Sequence, residues 1–512
     1  MEPKVLLIYP PNQLMPKEFP RPDGSLGLLY LAGALERVGI EVDVLDASVG
    51  TLDDSLADTF NRRVMQSNGL VRIGMTTERI SEVIAHGGYN VVGINSNFTP
   101  QTKMALEVAE ATRSVSKDIL VMAGGVNARN LPERFLAGDI DVVCMTEGER
   151  IIVQLIRAWE QGRSLEEVSG TITLKDGMVV RRNPQPCDVL TDLDSLPFPA
   201  WHKLPWPHYD HVGVASAGRS FLKDDDRLAS LMTSLGCPFE CDFCHISIEK
   251  GRPEESGGIG TLRFKSVSRV MEEVRRLRGL GVSRVFFEDD SLLARKARVK
   301  EIFTGVTGMG LKIADVNGVN LVHFLKGGRG GKPTIDVEYL ELLQGSGFDQ
   351  TVFPVESASQ RILDKYATGK LNHSTLDVLE LVRVATRLGI TCPINMMVGF
   401  PDETEEEIIS SIELGRQLVL TGAPYCSLFI PIPFPGSQLF EMALRKGYLT
   451  PDFGTDAFNW RKPVMRNTTV SPERIQELQQ WGWRDINPEE YLRKRLKVDI
   501  GRRWQSGEPE TA

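Results

Sequence analysis

The 512 residues hold 59 Lys and Arg against 68 acidic residues, a net charge of -9, with 41% hydrophobic and 25% charged residues. That length exceeds one hydrophobic core and the balance is globular, so two large domains and a smaller third are expected, while disordered and fibrous classes are excluded. The acidic balance argues against nucleic acid as a partner, and no apolar run approaches the ~20 residues of a membrane span. Val5-Leu-Leu-Ile8, followed by Tyr9-Pro10-Pro11-Asn12, reads as a buried strand ending in a proline-fixed loop. The run is too short for a signal h-region and lacks a cleavage site, which with seven cysteines, three of them clustered, predicts a soluble cytoplasmic protein.

Gly27 to Gly39 carries a helical apolar face and a terminal glycine, and Val42-Asp-Val-Leu-Asp46 is the next strand. Val91-Val-Gly-Ile-Asn95, Ile119-Leu-Val-Met-Ala123 and Asp141-Val-Val-Cys-Met145 continue the rhythm, with helical patterns such as Lys103 to Val115 between them. Alternation of this kind predicts a parallel sheet covered on both faces, with ligands beyond the carboxyl ends of its strands. Small and polar residues follow those ends: Ser96 and Thr99, then Gly124, Gly125 and Asn127, then Glu147 and Glu149. Each suits either a turn or close approach of backbone to a ligand, and the set together points to a ligand crevice. The fingerprint G-x-G-x-x-G is missing after the first strand, so NAD is not expected.

Gly170 to Val180 is a predicted hairpin with Asp176-Gly177 as its turn, and the prolines in Asp192 to Trp201 rule out a continuous helix there, which makes this the expected tether. His202, His208 and His211 match no standard metal spacing and are expected to be exposed linker residues. The chemistry is expected at Cys237, Cys241 and Cys244, spaced C-x3-C-x2-C. Three cysteines that close imply one shared ligand. An iron-sulfur cube with one iron left open is the leading reading, and a zinc knuckle completed by His245 is the alternative.

Beyond the cysteines the strand-helix alternation returns. Val267 to Leu280 is an amphipathic helix, Val282 to Phe287 a strand ending at Glu288-Asp289-Asp290, and Gln350-Thr-Val-Phe-Pro-Val-Glu-Ser357 another strand. A helix N-cap is the competing role for Asp289 or Asp290. Lys326 to Pro333 is glycine-rich, yet proline follows Lys332 where a phosphate loop needs Ser or Thr, so a flexible active-site loop is expected instead. Cys392 and Cys426 are expected to be small core residues. Ser471-Pro472 starts a helix carrying Trp481 and Trp483, for which core packing is favoured over closure of a substrate cavity. The basic residues Arg493 to Lys497, Arg502 and Arg503 suit a solvated terminal helix, with contact to an anionic substrate or membrane surface as the alternative, and Gln505 to Ala512 are expected to be disordered.

Cys237-x3-Cys241-x2-Cys244, with Phe243 before the last cysteine, resembles the signature of the radical S-adenosylmethionine (SAM) superfamily. The resemblance implies that the amino and carboxylate groups of SAM take the open iron and that Phe243 lies by the adenine. Further matches stand in register: Asp289-Asp290, Glu356-Ser357, Gly399-Phe-Pro-Asp-Glu-Thr404 and Pro433-Phe-Pro-Gly-Ser437. The proline loop, Gly124-Gly125-x-x-Ala128 and Glu147-Gly-Glu149 resemble the cobalamin domain of cobalamin-dependent radical SAM proteins, without the D-x-H-x-x-G that supplies histidine to cobalt.

The implied fold class is α/β. Residues 1-160 form a doubly wound, Rossmann-like cobalamin-binding domain, 161-225 a linker, 226-449 a partial (β/α)6 TIM-like radical SAM barrel, and 450-512 a small, mostly helical C-terminal region. Implied cofactors are a 4Fe-4S cluster held by the three cysteines, SAM near Phe243, Asp289, Asp290, Glu356 and Ser357, and base-off cobalamin near Ser96, Thr99, Gly124, Gly125, Asn127, Glu147 and Glu149. The implied activity is methyl transfer from SAM through methylcobalamin to an unactivated carbon or phosphorus of a small molecule. Electrons would come from a flavodoxin- or ferredoxin-like donor. A cyclase, rearrangement or oxidation enzyme with the same cofactors is the second reading, and a cobalamin- or redox-responsive binding protein the third.

Overall fold

The computed structural model describes residues 2-16, 25-212, 227-315, 317-327, 332-459 and 462-491. The glycine-rich stretch 328-331, the basic residues from 493 to 503 and the terminal 505-512 lie outside the described residues.

Val5 to Ile8 are all buried, as a strand covered on both faces requires. The parallel strands run in the order Glu41–Asp46, Lys4–Tyr9, Val91–Asn95, Leu120–Gly124, Val142–Cys144. The second strand thus lies outside the first, and the chain switches direction between Lys4–Tyr9 and Val91–Asn95, where a doubly wound sheet opens a ligand crevice. Helices Leu26–Arg37 and Gly148–Glu160 pack on each other, as do Thr77–Gly87 and Thr102–Val115, and the sheet has a separate apolar core on each side. The hairpin Thr171–Lys175/Met178–Arg182 joins this sheet as its antiparallel edge by pairing with Val142–Cys144. Its assignment to the linker is therefore corrected: burial of Thr171, Ile172 and Thr173 against the sheet decides the matter.

The second unit is also parallel. Leu228–Leu231, Arg284–Phe287, Lys312–Asp315 and Phe348–Gln350 form one sheet, and Phe353–Glu356, Ile394–Met397 and Cys426–Phe429 another. A bridge from Gln350 to Thr391 joins them edge to edge. Alternate residues such as Ile394, Met396 and Val398 enter the large core beneath the helices. Cys392 and Cys426 are fully buried there. Helix Pro472–Ile486 covers Glu405–Thr421, with Trp483 against the core and Trp481 half exposed.

The described part of the segment between the units packs against both of them. Phe198 lies under the guanidinium groups of Arg269 and Arg276, 3.6 and 3.4 Å from its ring centre, and the Ala200 N–H donates to the Leu29 carbonyl at 3.0 Å. His202 pairs with Glu36, and a ring nitrogen of His208 lies 2.7 Å from the Thr51 carbonyl oxygen. The carboxyl ends of the two sets of strands face each other across one cleft.

Candidate functional site

Gly236, at φ 79°, turns the chain after the first barrel strand, and a side chain there would strike the Gly260 and Thr261 carbonyls at 2.6 and 2.4 Å. The cysteine loop that follows is held from three sides. Cys241 pairs with Ala367 in a short antiparallel ladder, Lys250 donates to the carbonyls of Pro238 and Phe239 at 3.2 and 3.0 Å, and Ser247 Oγ donates to the Cys241 carbonyl at 3.0 Å. Cys244 is the N-cap of helix His245–Gly251. Burial raises all three thiols, Cys241 to about 11 and Cys244 to about 12, and for Cys244 the neighbouring Cys241, Asp290 and Cys237 act in the same direction. Such thiols stay protonated and inert until a cation takes their protons' place.

Among the described residues no group of three His, Cys, Asp or Glu side chains converges on a point where a single metal ion could sit. Three cysteines are the donor set of an iron-sulfur cube with one iron left open, whereas a tetrahedral zinc ion needs a fourth protein donor. His245 is engaged elsewhere, its Nδ1 3.0 Å from Glu249 Oε1 in an ion pair that is not aligned as a hydrogen bond. The donor set fits the cluster and does not fit the zinc knuckle.

Phe243 packs at 6.2 Å against Phe400, whose ring stacks on Tyr366. Asp289 is fully buried and accepts from Thr233 N and Oγ1 at 2.9 and 2.7 Å and from Ser234 Oγ at 2.5 Å, so it ties the strand end beneath the cysteine loop. Asp290 accepts from the Gly236 N–H at 2.8 Å and lines the cleft. Glu356 sits in the left-handed region at φ 66°, a strained place for a β-carbon, and pairs with Lys370. Ser357 is fully buried and its Oγ accepts from Ser359 N at 3.1 Å. Lys370 had no signal in the sequence: it lies 14 residues from its partner, over the Phe243 ring at 5.8 Å.

Opposite the cysteine loop, the strand ends of the first unit enclose a cavity of about 360 Å³. Gly124, Gly125, Glu147 and Glu149 line it, together with Gly27, Tyr30, Asn97, Arg129 and Cys144, which the sequence had not singled out. From the barrel side come Met232, Leu235, Gly236, His245, Ile246, Glu249, Ile259, Glu288 and Asp290. A side chain on Gly124 would meet only Cys144, at 3.8 Å, so its backbone is open to a ligand. Gly125, at φ 108°, passes so close that a β-carbon would strike the Ser96 carbonyl oxygen at 2.4 Å.

Ser96, Thr99 and Asn127 build this turn instead of lining the cavity. Asn127 Nδ2 donates to Ser96 Oγ and Thr102 Oγ1, each at 2.9 Å, and the Thr99 carbonyl accepts from Thr102 Oγ1 at 2.7 Å. Glu147 forms a two-point pair with Arg263 of the barrel unit, including Nη1 to Oε2 at 3.0 Å. Glu149 has no comparable partner, and burial, reinforced by Glu147, raises its carboxyl to about 7. One cavity with a glycine floor on one side and the three clustered thiols beside its opposite wall can hold a large planar ligand against a second, thiol-bound group.

Residues 24–156 match the family model of the B12 binding domain, and residues 231–415 that of the radical SAM superfamily. An uncharacterized methyltransferase of Pyrococcus horikoshii is 27% identical over 484 residues, 93% of this chain and 90% of that protein. Cytidylyl-2-hydroxyethylphosphonate methyltransferase of Streptomyces wedmorensis is 26% identical over 94% of this chain and 90% of its own length. The anaerobic magnesium-protoporphyrin IX monomethyl ester cyclase of a Synechocystis strain is 21% identical over 92% of this chain and 83% of its own. In fold, the chain is similar to the radical SAM methyltransferase TsrM of Kitasatospora setae, solved with cobalamin and a [4Fe-4S] cluster, with a TM-score of 0.63 and 18% identity over 88% of this chain and 80% of that one. With a B12-binding domain and a radical SAM domain meeting at one cavity, the chain belongs to the cobalamin-dependent radical SAM enzymes, which are built around a 4Fe-4S cluster, SAM and cobalamin.

Proposed function

We propose that the chain moves a methyl group from SAM, by way of cobalamin, to an unactivated carbon or phosphorus of a small molecule held between its two units. The observation that carries this reading is the single cavity walled by both the glycine floor and the segment flanking the three cysteines. When bound, the cofactors supply reductive SAM cleavage and methyl donation; the protein supplies orientation and exclusion of water.

In this reading Cys237, Cys241 and Cys244 would hold the cluster as thiolates, and Lys250 keeps their loop in shape through its backbone carbonyls. Phe243, backed by Phe400, offers a flat apolar face for a purine. Asp290 and the Glu356–Lys370 pair present charge beside the cysteine loop, where the amino and carboxylate groups of SAM would need partners. Gly124 and Gly125 admit a corrin close to backbone, and Glu149, holding its proton to about 7, can donate a hydrogen bond to it from Oε. Met232, Leu235, Ile246 and Ile259 keep the shared space dry. We assign the cobalamin-binding unit to residues up to Arg182 and the barrel unit to residues from Leu228 through Leu449.

Anaerobic turnover with deuteromethyl SAM is the test. Label in a product, with S-adenosylhomocysteine formed beside 5'-deoxyadenosine, supports methyl transfer. The similarity to a cyclase favours a second reading, in which the same cofactors drive ring closure or oxidation. In that case 5'-deoxyadenosine forms without S-adenosylhomocysteine.

A further inference from the structure

Arg129 belongs to the short helix Val126–Asn130 that follows the glycine floor. Its guanidinium crosses the cavity wall to Glu249, which is 120 residues away, and the two side chains are 15% and 10% exposed. Glu249 in turn holds His245 Nδ1 at 3.0 Å, and His245 is the first residue of the helix capped by Cys244. All three residues line the same cavity. A helix of seven residues moves as one piece, so displacement of Glu249 carries Cys244 with it.

We infer that Arg129, Glu249 and His245 form a positioning bridge that fixes the separation between the cobalamin floor and the cysteine loop. The inference rests on the proposal that both cofactors share this cavity. Buried ion pairs contribute little net stability, because desolvation offsets attraction, and their better-attested use is to specify one arrangement among several. Here burial of the carboxyl acts against its ionisation, but Arg129 and His245 outweigh that and hold Glu249 down to about 2. The Glu249 carboxyl is therefore ionised throughout the neutral range. Arg129 leaves its Nε without a partner, a further sign that the contact is kept for register more than for stability. A transfer between two bound groups is sensitive to misplacement, where about 1 Å can cost roughly a hundredfold in rate.

Among the described residues no other side chain of the first unit bonds directly to this helix: Glu147 reaches Arg263, Tyr30 reaches Lys265, and Thr146 Oγ1 donates to the Ser256 carbonyl just beyond it at 2.8 Å. Removing the bridge should consequently loosen the cysteine side while the units stay associated.

The test uses the full chain carrying a reduced cluster and cob(II)alamin, whose two unpaired spins report their separation by pulsed electron paramagnetic resonance. The wild type should give one narrow distance. Arg129→Gln and Glu249→Gln should lose that single narrow peak while keeping wild-type iron and cobalt content, and the charge swap Arg129→Glu with Glu249→Arg should restore it. A narrow, unshifted distance in both single variants overturns the bridge. If either single variant fails to fold, the swap decides: a narrow peak supports the bridge and a broad one overturns it. Absence of cobalt from the wild-type chain would instead overturn the underlying cofactor reading, and the bridge with it.

Discussion

Replacing Lys265 with methionine tests how the two units are held together. The ammonium donates to Glu273 Oε2 at 2.6 Å, to the Met232 carbonyl at 2.8 Å and to the Tyr30 hydroxyl of the other unit. Neither Lys265 nor Glu273 exposes any of its side chain. Removing one partner of a buried pair strands the other and costs about 3–5 kcal/mol. Arg269 Nε, 2.8 Å from Glu273 Oε1, still neutralises part of the carboxylate, and methionine fills the lysine stem, so the loss should fall near 3 kcal/mol. Lys265→Met with Glu273→Leu leaves no buried carboxylate behind and should recover at least half of that loss. Urea unfolding at pH 7, followed by the fluorescence of the chain's tryptophans and by far-ultraviolet circular dichroism, measures both. A single-variant loss below about 1 kcal/mol, or a double variant no better than the single, would refute the reasoning.

Cys237→Ala, Cys241→Ala and Cys244→Ala should each abolish iron retention after anaerobic reconstitution while leaving cobalt content unchanged, as metal analysis of each variant will show. Gly125→Ala places a β-carbon 2.4 Å from the Ser96 carbonyl oxygen at φ 108°, and should cost roughly 2 kcal/mol or more and weaken cobalamin retention, measured by thermal unfolding and by the corrin absorbance that survives gel filtration. Glu403 is fully buried, and burial raises its carboxyl to about 8 despite the N–H groups of Gly399 and Phe400 at 2.6 and 3.1 Å. The folded chain therefore binds a proton that the unfolded chain releases near its ordinary carboxylate value, so stability falls as pH rises from about 4.5 to about 8. Glu403→Gln should flatten that part of the profile, read as urea midpoint against pH, and an unchanged slope would count against the assignment.

Much of the architecture was legible because it rests on short-range pattern. The strand-helix rhythm from Val5 to Met145 and the return of that rhythm after Leu231 follow from apolar periodicity, and the three cysteines declare themselves by spacing alone. Three kinds of feature were not legible. The hairpin from Thr171 looked like linker because its partner strand, Val142–Cys144, is too short to advertise an open edge. Ser96, Thr99 and Asn127 follow strands just as Gly124 and Glu149 do, and only three-dimensional placement separates the residues that build the turn from those that face the cavity. Lys265, Lys370 and Arg129 carry no local signal, since their partners Tyr30, Glu356 and Glu249 stand 235, 14 and 120 residues away. No helix among the described residues is long and apolar enough to cross a membrane, which agrees with the hydropathy of the sequence.

Both proposed cofactor sites open on one cavity lined from the two units, and metal content tests that proposal most directly. Purified and reconstituted without oxygen in the presence of iron, sulfide and hydroxocobalamin, the chain should hold about four irons and about one cobalt, and SAM should perturb the spectrum of the reduced cluster. A chain that binds neither metal, or whose iron survives replacement of all three cysteines, would contradict the account.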